Sequence, residues 1–322
     1  MALPTDTQTS YAAVSNREDL SDVIYSVDPI DVPFIASIAQ TNATAVLHEW
    51  TTQALGAPSA SNAVLEGDDA TTDAATAAVK VSNSNQISDK VARVTGTQRA
   101  VISAGREDEL EYQVYLKTLE LRRDMETNAL AHVAEVTGDS TTARKYGTLG
   151  TWLTSNLNEA SDATSSTGLG NNKRTDGTIR ALTESLVKDA LKQTFDAGGD
   201  PDCMIMGSFN KQAVSGFGGN ATRVKTAEDR KLQTAIDLYE SDFGDLQIIP
   251  DRFARPALGG SDATGDLWIV QKDMVALAYL RNVGIEPLSK TGDSDRRQIL
   301  VEYTLECRNE KAHGAVLDLT IS

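Results

Sequence analysis

Three histidines, two cysteines and a few glycine and aspartate clusters are the residues of this 322-residue chain that could carry chemistry. His48, His132 and His313 could ligate zinc. None has a second histidine or cysteine at ligand spacing, and His48-Glu49 lacks the second histidine of a helix-borne zinc protease motif. Cys203 and Cys307 lie far apart in apolar, strand-like runs and outside any reactive-thiol motif. They read as buried free thiols of a reducing compartment. Gly168-Leu169-Gly170 follows no strand, and Gly216-Phe217-Gly218-Gly219 lacks the lysine of a phosphate-binding loop. Asp68, Asp69 and Asp73 lack calcium-loop spacing and read as a solvated acidic tip. The expectation is a chain without catalytic, cofactor-binding or metal-binding residues.

Charge narrows the classes further. The formal net charge is -16, which argues against a general binder of nucleic acid or of anionic membranes. No apolar run is long enough to span a bilayer, and residues 1–10 lack the pattern of a secretory signal. Arg122-Arg123 beside Asp124 and Glu126 reads as helical i, i+3 and i, i+4 pairing. Lys290, Arg296 and Arg297 flank Asp293 and Asp295 in a turn, which fits either salt bridges between subunits or a solvated loop.

The elements around these residues point elsewhere than catalysis. Residues 51–88 are rich in Ala, Thr, Ser, Asn and Asp; Leu55, Val64, Leu65, Val79, Val81 and Ile87 are too few to build a core. Strand-like runs at 45–50 and 91–102 flank the stretch, which predicts a protruding two-stranded arm. The exposed edges of such an arm need a partner. That favours assembly.

Upstream, Ser15 and Glu18 form a capping box for a helix over 15–27, with a Leu20, Val23, Ile24, Val27 stripe. A second short helix is expected with Asp31 as N-cap and Pro33 in its first turn. Downstream, Ser103 and a cluster of acidic residues open a helix over about 107–137 that stops at Gly138, about 45 Å long. Residues 139–177 read as polar loop, with 155–172 a mobile surface segment. A helix capped by Thr175 or Asp176 then carries Ile179, Leu182, Leu186, Leu191 and Phe195, and ends at Gly198-Gly199. Cys203 to Met206 reads as a buried strand, and Ser208 as the cap of a short helix. Residues 235–239 and 246–249 read as a hairpin, and 267–270 and 275–280 continue a small sheet. The alternation over 298–308 and 315–321 predicts two half-buried strands joined through 309–314. Together this is an α+β chain without internal repeats.

Several short motifs resemble one family. They include Asn16-Arg17-Glu18-Asp19-Leu20, Pro33-Phe34, His48-Glu49-Trp50 and Thr95-Gly96-Thr97-Gln98. Arg123-Asp124-Met125-Glu126, Gly199-Asp200-Pro201-Asp202, Phe209-Asn210-Lys211-Gln212 and Pro250-Asp251-Arg252-Phe253 continue the match. Lys290-Thr291-Gly292-Asp293-Ser294, Val301-Glu302-Tyr303-Thr304-Leu305-Glu306 and Arg308-Asn309-Glu310-Lys311 close it. Taken together they resemble the SU-ten-like major capsid group of tailed phages, whose fold is the Hong Kong 97 type.

The resemblance implies an N-terminal arm over 1–44, an extended loop over 45–95, and a peripheral domain with its spine helix over 96–149. It implies an axial domain over 150–285, and a return of 286–322 to the peripheral domain. It implies a structural protein rather than an enzyme, forming pentamers and hexamers of an icosahedral head around double-stranded DNA. Trp50, Asp68, Asp69, Lys80, Arg296, Arg297 and Glu310 are the subunit-interface candidates. The implied partners are further copies of the chain, a separate scaffold, a portal, decoration proteins and DNA held without sequence specificity. No membrane and no cofactor is implied. The implied location is the virion, after assembly in the bacterial host cytoplasm. Some relatives cross-link subunits by a lysine–asparagine isopeptide bond near a glutamate; the spacing of Lys80 and Asn309-Glu310 does not identify that chemistry. The alternative on the same fold is an encapsulin-like nanocompartment shell.

Overall fold

The computed structural model describes residues 31–69, 75–101, 108–217, 237–254 and 264–321. The helix expected over 15–27, the Ser103 cap and Asp73 lie outside them.

The described chain opens with α1 (Pro33–Ser37) and β1 (Ala39–Asn42). Pro33 suits the first helical position because the missing N–H has no partner there in any case. The cap differs from expectation. Val32, not Asp31, is the N-cap and makes no side-chain bond; the free N–H groups of Phe34 and Ile35 go to Glu126 instead. Next come β2 (Leu47–Thr52) and β3 (Val79–Ser84), which pair antiparallel as a separate two-stranded ribbon. This is the expected arm. β4 (Gln86–Thr95) follows directly, and stops earlier than expected because Thr95 Oγ1 accepts from Gln98 N and starts α2 (Gly96–Ala100).

The long helix is α3 (Glu109–Ala129). Asp108 caps it, its Oδ1 accepting from Leu110 N at 2.8 Å, with Glu109 and Glu111 in the first turn. Leu110, Val114, Leu121, Met125 and Ala129 form its buried face. At 21 residues it spans about 31 Å, shorter than expected. Tertiary bonds end it. Thr148 Oγ1 donates to Ala131 O at 2.5 Å and accepts from Val133 N at 2.9 Å, while Glu135 N donates to Gly170 O. Val136 then pairs with Lys145, and Gly138, at φ 72°, opens the turn toward that strand partner.

The remaining elements are α4 (Leu149–Trp152), β5 (Leu157–Asn158), α5 (Glu184–Asp196), β6 (Cys203–Met206), α6 (Ser208–Ser215), β7 (Leu238–Ser241), β8 (Gly244–Pro250), β9 (Gly265–Val270), β10 (Val275–Leu288), β11 (Ser294–Cys307) and β12 (Gly314–Leu319). Gly207 rather than Ser208 is the N-cap of α6. β7 and β8 form the expected hairpin. α5 starts at Glu184 with Thr183 as N-cap, so neither Thr175 nor Asp176 caps it and Ile179 lies outside it, exposed.

Two sheets organise these strands. One has the order β1-β10-β11-β4, with α3 packed on β4 and β11. The other has the order β5-β12-β9-β6-β8-β7, with α5 packed on β12. β10 belongs to the first sheet, so it does not extend the sheet of β9 as expected. β11 and β12 do not pair with each other either; the Asn309–Gly314 connection carries the chain from one sheet into the other. Both are more buried than their alternation predicts. Glu302 is covered because Arg144 and Arg281 each reach it at 2.8 Å, and Glu306 because His48 and Arg308 each reach it at 2.9 Å.

The polar segment after α4 is packed rather than loose. Asn156 Nδ2 donates to Lys311 O and His313 O, and Ser166 Oγ to Leu153 O. Arg174 is buried and meets the buried Asp318 at 2.7 Å. Asp318 stands at φ 59°, where a register shift in the β12–β9 pairing turns its side chain inward. Its carboxylate also accepts from Ala160 N and Gly177 N, both at 3.0 Å. Among the described residues no helix is long and apolar enough to cross a membrane.

Candidate assembly surfaces

The arm is rooted firmly and bare at its tip. At the root, Asn83 Nδ2 donates to Gly147 O and Leu305 O, and its Oδ1 accepts from Gly147 N. Asn85 Nδ2 donates to Ala45 O. His48 Nε2 lies 2.9 Å from Glu306, whose carboxyl that bond holds below the usual range against the cost of burial. Trp50 packs against Trp152, ring centroids 5.4 Å apart. Beyond the last pair, Thr52 with Val79, regular structure stops. Gln53 Nε2 still donates to Thr76 O, after which Leu55 is 97%, Val64 83% and Leu65 80% exposed. Three large aliphatic side chains held in water on one ribbon oppose the hydrophobic effect unless another surface covers them.

The seven interface candidates divide accordingly. Asp68 and Asp69 lie exposed at the arm tip. Lys80 reaches Glu49 across the ribbon at 2.7 Å. Trp50 faces inward onto Trp152, and Glu310 accepts from Thr154 N, Ser155 N and Ser155 Oγ, so both are engaged inside the subunit. Asn309 is likewise used locally, accepting from Lys311 N. Arg296 donates to Ser289 O at 2.6 Å and to the Thr291 hydroxyl. Arg297 is half-buried in β11, opposite Ala92 and Pro287. The nearby Asp295 gathers Lys290 at 2.6 Å and Arg99 at 2.5 Å; those bonds hold its carboxyl below the usual range.

Of the residues singled out for chemistry, Cys203, Cys307, His132 and His313 are buried. Cys203 and Cys307 are free and buried; burial pushes the Cys203 thiol up to about 12 and the Cys307 thiol higher still. His132 Nε2 lies 3.0 Å from Asp266 with both side chains buried, and its ring packs on Trp268. Burial pushes buried His313 down to about 4. Among the described residues no three His, Cys, Asp or Glu side chains converge as metal ligands.

The helical pairing expected at 122–126 is not what forms. Asp124 pairs with Lys90 on β4 at 2.6 Å, and the Arg123 guanidinium lies over the Phe253 ring at 5.3 Å. Glu126 is fully buried and binds α1. Three of the short motifs, at 33–34, 123–126 and 250–253, thus meet at one place. Their spacing along the chain gave no sign of this contact.

Sequence comparison decides between the architectures this fold can serve. The family model described as SU10 major capsid protein matches residues 3–320. The chain belongs to the SU10 major capsid protein family. The major capsid protein of Escherichia phage Phieco32 is 32% identical over 126 residues, 39% of this chain and 36% of that relative, so that alignment spans little more than a third of the relative's length. Solved structures share the fold at low identity. A chain of Mycobacterium phage Bobi matches with a TM-score of 0.60 at 11% identity, covering 95% of this capsid protein and 96% of that chain. The holo-SrpI encapsulin of Synechococcus elongatus PCC 7942 matches with a TM-score of 0.57 at 11% identity, covering 99% and 96%. The fold is therefore the Hong Kong 97 type, and the family places this major capsid protein in a phage virion.

Proposed function

We propose that this capsid protein builds pentamers and hexamers of an icosahedral head that encloses double-stranded DNA. The observation that carries the reading is the arm: a ribbon bonded to its own subunit at the root and apolar and uncovered at its tip. In this reading residues 45–95 are the extended loop, and its tip, with Asp68 and Asp69, lies on a neighbouring subunit. Obligate interfaces of this kind bury about 2,000 Å² or more. The sheet of β4, β10 and β11 with α3 is the peripheral domain, and the sheet from β5 to β9 is the axial domain; β12, by its pairing, goes with the axial one. The arm before residue 45 joins the peripheral domain through α1.

The net charge of -16 suits a wall along which packaged DNA slides rather than sticks. Assembly takes place in the host cytoplasm with scaffold, portal and decoration proteins as partners. Electron microscopy of the purified native material tests the reading: closed icosahedral particles containing DNA are expected. Closed shells filled with a protein cargo and free of DNA would transfer the chain to the nanocompartment reading. Monodisperse monomer at high concentration would overturn both.

A further inference from the structure

Glu126 reaches a partner 92 residues away in sequence. It sits on α3 with no solvent exposure, and it supplies the cap that α1 lacks. Its Oε1 accepts from Phe34 N at 2.6 Å and its Oε2 from Ile35 N at 2.9 Å. Facing it is a second buried carboxyl, Asp251, on the turn after β8. Asp251 Oδ1 accepts from Phe253 N at 2.7 Å, while its Oδ2 is buried with no hydrogen-bond partner. Two buried carboxylates in contact repel. One proton turns the repulsion into a hydrogen bond, because a protonated Glu126 donates to Asp251 and still accepts from α1.

Among the described residues the surroundings supply no compensating cation at this point. On α3 itself, Arg123 stacks over Phe253, Arg122 acts on Tyr279, and Asp124 is taken by Lys90. α1 brings backbone N–H groups and no titratable side chain. The turn after β8 brings Asp251 and Arg252, which is exposed. Tyr146 from the loop before α4 faces Glu126, and Tyr303 from β11 packs on Tyr146; burial pushes both phenols up, so they stay neutral.

We propose that the Glu126–Asp251 pair is a proton-dependent latch that fastens the α1 segment to α3. Burial first, and then the Asp251 charge, push the Glu126 carboxyl from its ordinary 4.5 up to about 8. Burial likewise pushes Asp251 up. The N–H bonds from Ile35 and Phe34 pull the Glu126 carboxyl down, but burial outweighs them, so the docked state holds its proton more tightly than the undocked state. The latch is at full strength below about 4.5 and loosens by up to tenfold per pH unit as pH rises toward about 8.

Hydrogen exchange at the Phe34 and Ile35 amides of assembled particles reads the latch directly. Rates are measured from pH 5 to pH 9 and normalised to intrinsic exchange. In the native protein, protection is expected to fall at least tenfold across that range. Asp251→Asn should make the profile shallower, because it removes the repelling charge and donates an amide hydrogen to the Glu126 carboxylate, leaving burial alone to raise that carboxyl. Glu126→Gln, the second variant, should flatten it at lower protection, since its amide nitrogen cannot accept from α1. A flat profile in the native protein overturns the proposal whether or not either variant folds. So does a fall that Asp251→Asn shares undiminished.

Discussion

Arg174 and Asp318 are both buried, lie 144 residues apart in sequence and meet at 2.7 Å. Their contact pins the segment between β5 and α5 to the inward-turned end of β12. A buried ion pair adds little net stability when complete, but removing one partner strands the other.

Arg174→Met is therefore expected to destabilise the subunit by about 3–5 kcal/mol, read from denaturant unfolding of the unassembled protein. Asp318→Asn leaves the buried Arg174 charge unpaired and keeps an acceptor for only one of Ala160 N and Gly177 N, so it should cost at least as much as Arg174→Met. Burial pushes the Asp318 carboxyl up, but Arg174 and the two backbone donors outweigh it and hold the group below its ordinary 3.8. The contribution is present above that value and is lost as pH falls through the lower folded value. Acid unfolding of Arg174→Met should show a weaker dependence in that window than the native protein.

Deleting 57–77 removes the exposed arm tip and leaves the β2–β3 ribbon and its root intact. The subunit should keep its circular dichroism spectrum and its unfolding midpoint, while sedimentation shows no stable shells. Full-sized, heat-resistant shells from the deleted protein would remove the arm from the assembly mechanism.

Trp50→Ala takes away the packing of the ribbon root on Trp152. A loss of about 3 kcal/mol is expected, as for other large-to-small core changes. Proteolysis should then reach the β2–β3 ribbon of the variant faster than that of the native subunit. Equal cleavage rates would place the anchor of the ribbon in the His48, Asn83 and Asn85 bonds.

Cys203 and Cys307 should resist alkylation at pH 8 in the native state and react fully in denaturant, because burial keeps both as thiols. Mass spectrometry counts the labels. Labelling of either residue in intact protein at the denatured rate would contradict its placement in the core.

Lys80 pairs with Glu49, and Asn309 and Glu310 are held by their own loop neighbours. Boiled particles should therefore run as a single monomer band on a denaturing gel. A ladder of covalent oligomers that Lys80→Arg abolishes would show the opposite.

What the sequence revealed follows the range of the interactions involved. The start of α3 was legible to within two residues from its acidic first turn, which acts on the next few residues, although Asp108 rather than Ser103 is its cap. The β7–β8 hairpin and the arm were legible for the same reason: strand patterns flank a short turn in one and a coreless stretch in the other. The end of α3 was not legible, because the bonds that stop it come from Thr148 and Gly170. The packing of 155–172 was hidden in polar residues whose partners lie near the other end of the chain, as with Asn156 and His313. Glu126 looked like half of a surface ion pair, since nothing local marks that α1 and Asp251 close over it. Of the interface candidates, the tip residues Asp68 and Asp69 are exposed, whereas Trp50 and Glu310 were aromatic and acidic residues whose direction only the fold decides.

The position of β12 between β5 and β9 also sets a timetable. β5 is made long before β12, yet its sheet contact in the described chain is with β12. During translation β5 therefore waits, unpaired, until nearly every other strand has left the ribosome. Pairings across so long a stretch of chain form slowly. The six-stranded sheet is thus completed only once β12, the last of its strands, has emerged.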